Sequence, residues 1–276
     1  MRLKPFGLAL GWVLAFLSIG VGLTWLLSWI SPDTDSPWWL ARAGAIQVVA
    51  FGAATWCVGR WLNHRSWGEM GWKGGRGSRG FVIGAAWGAA MAALAVGLAV
   101  VASGARVHLW TLGSGVLPAG VPLIIGMLLA ALGEELTFRG YPLGRLADAL
   151  GPVGAAGLGA MLFGAAHLAN PEATLFGVVN IALAGVWLSL AFFSPGGMPL
   201  AWGLHFGWNA ALAELFNAPV SGYPFPGFGV HYSPGRYAWL DGGLFGPEGG
   251  LVGTVAIAVG VAVLWNARRL QPKLAV

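Results

Sequence analysis

Charge is what this chain has least of. Only 9% of its 276 residues are Asp, Glu, Lys or Arg, against about 25% in soluble domains. A water-soluble protein of this length could not cover its surface with so few charges. Cysteine is almost missing as well: Cys57 stands alone, which rules out an intramolecular disulfide and leaves the redox compartment open. The zinc-protease signature HExxH, the nucleophile elbow GxSxG and the phosphate-binding P-loop are absent, so the commonest local signatures of those chemistries are missing.

Apolar residues are abundant: 57% of the chain is hydrophobic, with a mean hydropathy of +0.72. The 46 glycines and 16 tryptophans suit closely packed membrane helices and interfacial anchors. Eight apolar segments stand out, at 6–30, 39–62, 81–102, 116–133, 152–167, 174–193, 198–216 and 251–265. About 20 helical residues cross the hydrocarbon core. The expected fold is therefore all-α, a polytopic transmembrane bundle of about eight spans. We expect a single integral-membrane domain over 1–276, with its motif-bearing core at about 116–217. The first apolar stretch is too long for a signal-peptide core and lacks a small-x-small cleavage site, so it is read as a retained span.

The basic residues orient the bundle. With the N-terminus inside, twelve of the fifteen Lys and Arg residues fall on one side, among them Arg2, Lys4, Arg60, Arg65, Arg139 and Arg145. The positive-inside rule then places both termini in the cytoplasm. The acids Asp33, Asp35, Glu172, Asp241 and Glu248 fall mostly on the other side. The net charge of +5 reflects these orientation signals, and no nucleic-acid partner is expected. The expected surroundings are the lipid bilayer. Nothing in the sequence addresses oligomeric state. Loop 63–80 is basic and Gly-rich, with Trp67 and Trp72, and reads as an interfacial segment. Loop 217–250 is aromatic and Pro/Gly-rich. It reads either as an ordered interfacial loop or as a lid over an intramembrane cavity.

Against this apolar background a few polar residues are conspicuous. Glu134 and Glu135 directly follow the fourth apolar segment. An ionised side chain at membrane depth costs about 2.5–3.5 kcal/mol even on lenient scales. On a helix, neighbours point about 100° apart, so the two acids face different directions. Glu135 and Arg139 stand at i, i+4 with the acid first, the favourable order for an ion pair. That leaves Glu134 without a cation on its own helix. His167 closes the fifth segment one turn after Phe163. His205 and Asn209 lie one turn apart on one face of the seventh, where unsatisfied polar groups are costly.

Each piece has a plain reading: a solvated helix start, an interfacial histidine, polar glue between helices. Together they supply a hydrolytic set. A carboxylate takes a proton from water, a neutral histidine holds that water, and a histidine with an asparagine donates hydrogen bonds to an oxyanion. Glu134, His167 and His205 could alternatively bind zinc with an open fourth position.

EELTFR (134–139), FGAAH (163–167) and HFGWN (205–209) resemble, in order, the EExxxR, FxxxH and HxxxN motifs of the CPBP intramembrane proteases. That family includes the type II CAAX prenyl endopeptidases and the bacterial Abi proteins. The resemblance implies an intramembrane endopeptidase acting on a peptide or membrane-protein substrate, in a bacterial cytoplasmic membrane. It casts Glu134 as the base, Glu135 and Arg139 as its support, His167 as positioning the water, and His205 with Asn209 as the oxyanion hole. It leaves both a metal-dependent and a metal-free route open. We prefer the metal-free one, because a histidine–asparagine pair suits an oxyanion better than a metal. A carrier or scaffold with a polar proton or ion site is the competing expectation.

One count resists this picture. If the fourth span ended at Gly133, Glu134 and His167 would lie at opposite membrane faces, roughly 20 Å apart at 1.5 Å per residue. A shared site therefore requires one long helix, continuous or kinked, from about 116 to 150, which sets Glu134 deeper. It also requires Glu134 to lie within ~12 Å of His167 or His205, about eight residues of helical rise.

Overall fold

The computed structural model describes residues 3–31, 36–73, 77–109, 116–225 and 230–270. Arg2, Asp33, Asp35, Arg76, Phe228 and Lys273 lie outside them. Each of the eight apolar segments is helical: α1 Leu3–Ile30, α2 Trp39–Ala54, α3 Gly77–Ser103, α4 Val116–Phe138, α5 Gly140–Ala166, α6 Leu175–Phe192, α7 Gly197–Ala210 and, after a one-turn α8 (Ala238–Asp241), α9 Leu251–Leu270. Wider π-turns extend α2 over Thr55–Leu62 and α7 over Ala211–Leu215. Among the described residues, five helical stretches are long and apolar enough to cross a membrane. One of these, Gly120–Ala166, takes in most of α4 and all of α5. A two-stranded antiparallel ribbon joins β1 (Arg106–Leu109) to β2 (Val230–Ser233), with Arg106 opposite Ser233 and Leu109 opposite Val230. The protein is a helical, membrane-embedded bundle.

Glycine rows bring two helices into backbone contact. A Cβ on Gly84 would stand 2.5 Å from the Leu200 carbonyl oxygen. On Gly88 it would stand 2.1 Å from that of Leu204, and on Gly207 2.0 Å from that of Ala85. Without side chains here, α3 and α7 pack at the closest possible range. This contact sets the depth and rotation of α7, and so of His205.

The long helix expected from 116 to 150 is present, with one kink. Arg139 departs from helical geometry (φ −107°, ψ −80°) between α4 and α5. The chain then continues helically to Leu150 and reverses at Gly151 (φ 72°, ψ 165°), a conformation that essentially only glycine adopts. Pro152 opens the returning arm, where its missing N–H costs nothing. The arms are antiparallel: a Cβ on Gly159 would lie 3.3 Å from Leu143 Cδ1, and the Phe138 and Phe163 rings are 5.2 Å apart. Glu134 precedes the reversal by about as many residues as His167 follows it. Both therefore stand roughly 25 Å along the helices from the bend, and so at the same level. This removes the difficulty of the 20 Å gap.

Gly151→Ala should lower stability by about 1–3 kcal/mol through backbone strain alone, since a Cβ there meets nothing within 4 Å. Gly157→Ala, equally uncrowded but helical, should leave stability unchanged or raise it. Thermal unfolding of the two variants in detergent compares them directly.

Several charges counted among the orientation signals are buried. Arg139 is 2% exposed and Glu135 fully buried, so Arg139 is no orientation signal. Asp241 and Glu248 are also buried. Asp241 accepts from Ser103 Oγ at 2.7 Å and from the Gly243 amide at 3.0 Å, tying the loop before α9 to the end of α3. At the other end of the bundle Arg65 bridges Glu69 and Asp148. There the Ser66 backbone N–H and hydroxyl donate to Glu69 at 2.7 and 2.8 Å and hold its carboxyl below the ordinary value.

Candidate active site

The kink between α4 and α5 builds the base of the site. Arg139 reaches back one turn to Glu135, with Nη1 3.0 Å from Oε1, and lays its guanidinium 4.1 Å from the centre of the Phe163 ring. The pair is neutral as a unit and sits behind the cavity wall.

Glu135 Oε1 also meets His205 Nδ1 at 2.9 Å, seventy positions on. A carboxylate can only accept, so Nδ1 carries a proton. The opposite nitrogen, Nε2, faces Glu134 Oε2 at 3.7 Å. That spacing is too long for a direct hydrogen bond and suits a small group reaching both. Glu134 Oε2 makes no hydrogen bond among the described residues. His167 Nδ1 lies 2.8 Å from the carbonyl oxygen of Phe163. By the same logic Nδ1 donates and Nε2 keeps its lone pair.

Phe163 is the hub that motif spacing alone understated. Besides Arg139, its ring packs edge-on to His167 at 4.8 Å and to His205 at 5.9 Å. The i, i+4 spacing in FGAAH hinted at the first contact. The second required the tertiary fold.

Glu134, His167, His205 and Asn209 all border one cavity of about 550 Å³ between α2, α4, α5, α6 and α7. Asn209 makes no side-chain hydrogen bond to another described residue. Glu135 and Arg139 do not border the cavity; they brace it from behind. Val220, Ser221, Tyr223, Phe225 and Glu248, from the aromatic segment read as 217–250, form part of the wall. Glu248 fastens this wall: it accepts from Trp208 Nε1 at 2.8 Å and from the Ser221 hydroxyl at 2.6 Å. Trp208 adjoins Asn209, so the loop is tied to the helix that carries the polar pair.

Among the described residues no group of three or more His, Cys, Asp or Glu side chains is arranged to hold a metal ion. Glu134, His167 and His205 share a cavity without forming a ligand cluster.

Fold and site together define an integral membrane protein with a buried acid–histidine cluster opening on a cavity. A protein-family model described as "Type II CAAX prenyl endopeptidase Rce1-like" matches residues 116–211. The matched stretch runs from the start of α4 to the end of α7 and contains all six motif residues, so the resemblance drawn from the three motifs is borne out. The match supports a CAAX-type intramembrane endopeptidase with a peptide or protein substrate. Comparison with curated proteins gave no match, and comparison with solved structures gave none either.

Proposed function

We propose that this protein hydrolyses a peptide bond of a membrane-associated or prenylated-type substrate, using water activated by Glu134. The observation that carries the reading is the convergence of Glu134, His167, His205 and Asn209 on one cavity wall. Glu134 Oε2 takes the water's proton. His167 Nε2, the acceptor nitrogen, holds the water's other hydrogen. Attack on the carbonyl carbon places negative charge on its oxygen, which His205 Nε2 and the Asn209 amide stabilise. For Nε2 to donate, the His205 ring must carry both protons, and Glu135 compensates that charge from the far side. Arg139 in turn holds Glu135 in place. Proton return from Glu134 to the leaving amine completes the cycle.

The preferred insertion keeps both termini at the cytoplasmic face, with the Arg65–Asp148 end of the bundle there, in a bacterial cytoplasmic membrane. The test compares membranes carrying the wild type with membranes carrying Glu134→Ala by quantitative proteomics of protein termini. Uncleaved substrates should accumulate only in the variant. Identical terminal profiles would overturn the reading.

A further inference from the structure

An amide stands in the middle of α2 that the reaction above does not use. Gln47 lies in an otherwise apolar run, AGAIQVVAF, where an unsatisfied polar side chain is costly. The plain explanation is adhesion between helices. Its Nε2 does donate to Thr137 Oγ1 at 3.3 Å, and Thr137 in turn donates to the Gly133 carbonyl at 2.8 Å. A glutamine side chain offers two donors and two acceptor lone pairs, so this bond uses one of four. Gln47 makes no other hydrogen bond among the described residues.

Its position is more telling. Gln47 and Thr137 border the same cavity as Glu134. A Cβ on Gly133 would lie 2.8 Å from Gln47 Oε1. The amide oxygen therefore rests against α4 one residue before Glu134, in space that only a glycine leaves open. The helices are locked together beside it: a Cβ on Gly44 would stand 2.7 Å from the Ala130 amide nitrogen, and one on Gly126 2.8 Å from Leu40 Cγ. A side chain held in this way is placed for recognition, not merely tolerated.

We propose that Gln47 Oε1 accepts a hydrogen bond from a backbone N–H of the substrate next to the scissile bond, holding an extended peptide against Glu134. The inference rests on the protease reading. A peptide entering this cavity must bond its amides to the protein, because hydrocarbon offers no partner. Gln47 borders the cavity from α2, beside the α4 turn that carries Glu134, whereas the His205–Asn209 donors assigned to the carbonyl oxygen border it from α7. An acceptor and donors supplied by different helices match the two polar groups of a peptide unit. Gln47 moves no proton. It is a substrate-positioning residue.

The experiment uses the full-length protein and an internally quenched peptide ending in a prenylated CAAX sequence. A companion series carries a single N-methyl group at each peptide nitrogen flanking the cleaved bond. Gln47→Met should lower kcat/KM about tenfold, the size of one lost hydrogen bond. For the wild type, one N-methyl position should cause a similar loss. For Gln47→Met that same N-methyl group should cause none, which a merely structural role would not produce. Gln47→Asn, which withdraws the amide from the cavity, serves the same comparison should Gln47→Met fail to fold. Independent losses that multiply, or wild-type kinetics in Gln47→Met, would overturn the inference while leaving the protease reading intact. No cleavage of the parent peptide by the wild type would overturn both.

Discussion

Glu134→Gln lowers kcat/KM for peptide cleavage by about 10³-fold, within the range for loss of a general base, and leaves the unfolding temperature nearly unchanged. The substitution keeps the shape of the side chain and one of its acceptor oxygens. It removes the capacity to take a proton at Oε2, the oxygen without a hydrogen-bond partner among the described residues. The Glu134 side chain is 28% exposed and faces a cavity, and its contact with His205 Nε2, at 3.7 Å, is longer than a hydrogen bond, so little stability is lost. Binding of the quenched peptide should survive in the variant, so the loss falls on kcat. Cleavage within tenfold of wild type would show that some other group activates the water. The competing carrier reading predicts no proteolysis in either protein.

Arg139→Met, in contrast, destabilises the protein by about 3–5 kcal/mol, the cost of leaving one partner of a buried ion pair uncompensated. Glu135, fully buried, would keep its charge with no cation on its own helix. The guanidinium packing on Phe163 would go as well. The double variant Glu135→Gln/Arg139→Met should recover most of that stability, since replacing both partners by groups of similar volume is often nearly neutral. Activity should not recover. With a neutral amide at 135, a doubly protonated His205 loses the carboxylate bonded to its Nδ1, and oxyanion stabilisation of this kind is worth about 10²–10³ in kcat. Thermal unfolding and cleavage assays on the wild type and these two variants therefore separate the two duties of Glu135. A double variant as active as wild type would mean that the ion pair serves the fold alone.

The difference between those duties also marks how far the sequence could be read. The local pairings were legible because helical geometry fixes them: Glu135 with Arg139, Phe163 with His167, His205 above Asn209. The helical segments were legible from apolar length. The bond from Glu135 to His205 joins positions seventy apart and depends on how α4 meets α7, which no periodicity encodes. Arg139 was read as a loop charge because charge alone does not reveal burial. Its kinked backbone carries it into the bundle instead of out of it. Asp241 and Glu248, placed on the outer side by their position in a Gly- and Pro-rich loop, are instead buried and accept hydrogen bonds from Ser103, and from Trp208 and Ser221, respectively. The β1–β2 ribbon has no sequence signal because its strands are four residues each, separated by four helices. Gln47 was passed over as a single amide in an apolar run. Its meaning comes from the glycine across from it.

The reversal at Gly151 has a consequence for biogenesis. Glu134 and His167 belong to two arms of one hairpin, neighbours in synthesis as well as in space. Contacts between such arms close a short stretch of chain and can form early, at small entropic cost. The ion pair of Glu135 and Arg139 lies within that hairpin, so the charges are matched before the later helices emerge from the ribosome. Half of the site is thus assembled as a self-contained insertion unit. The docking of α7 along the glycine rows of α3 would then bring in His205 and Asn209, the proposed oxyanion donors, so the proposed activity would begin only once this later helix is in place.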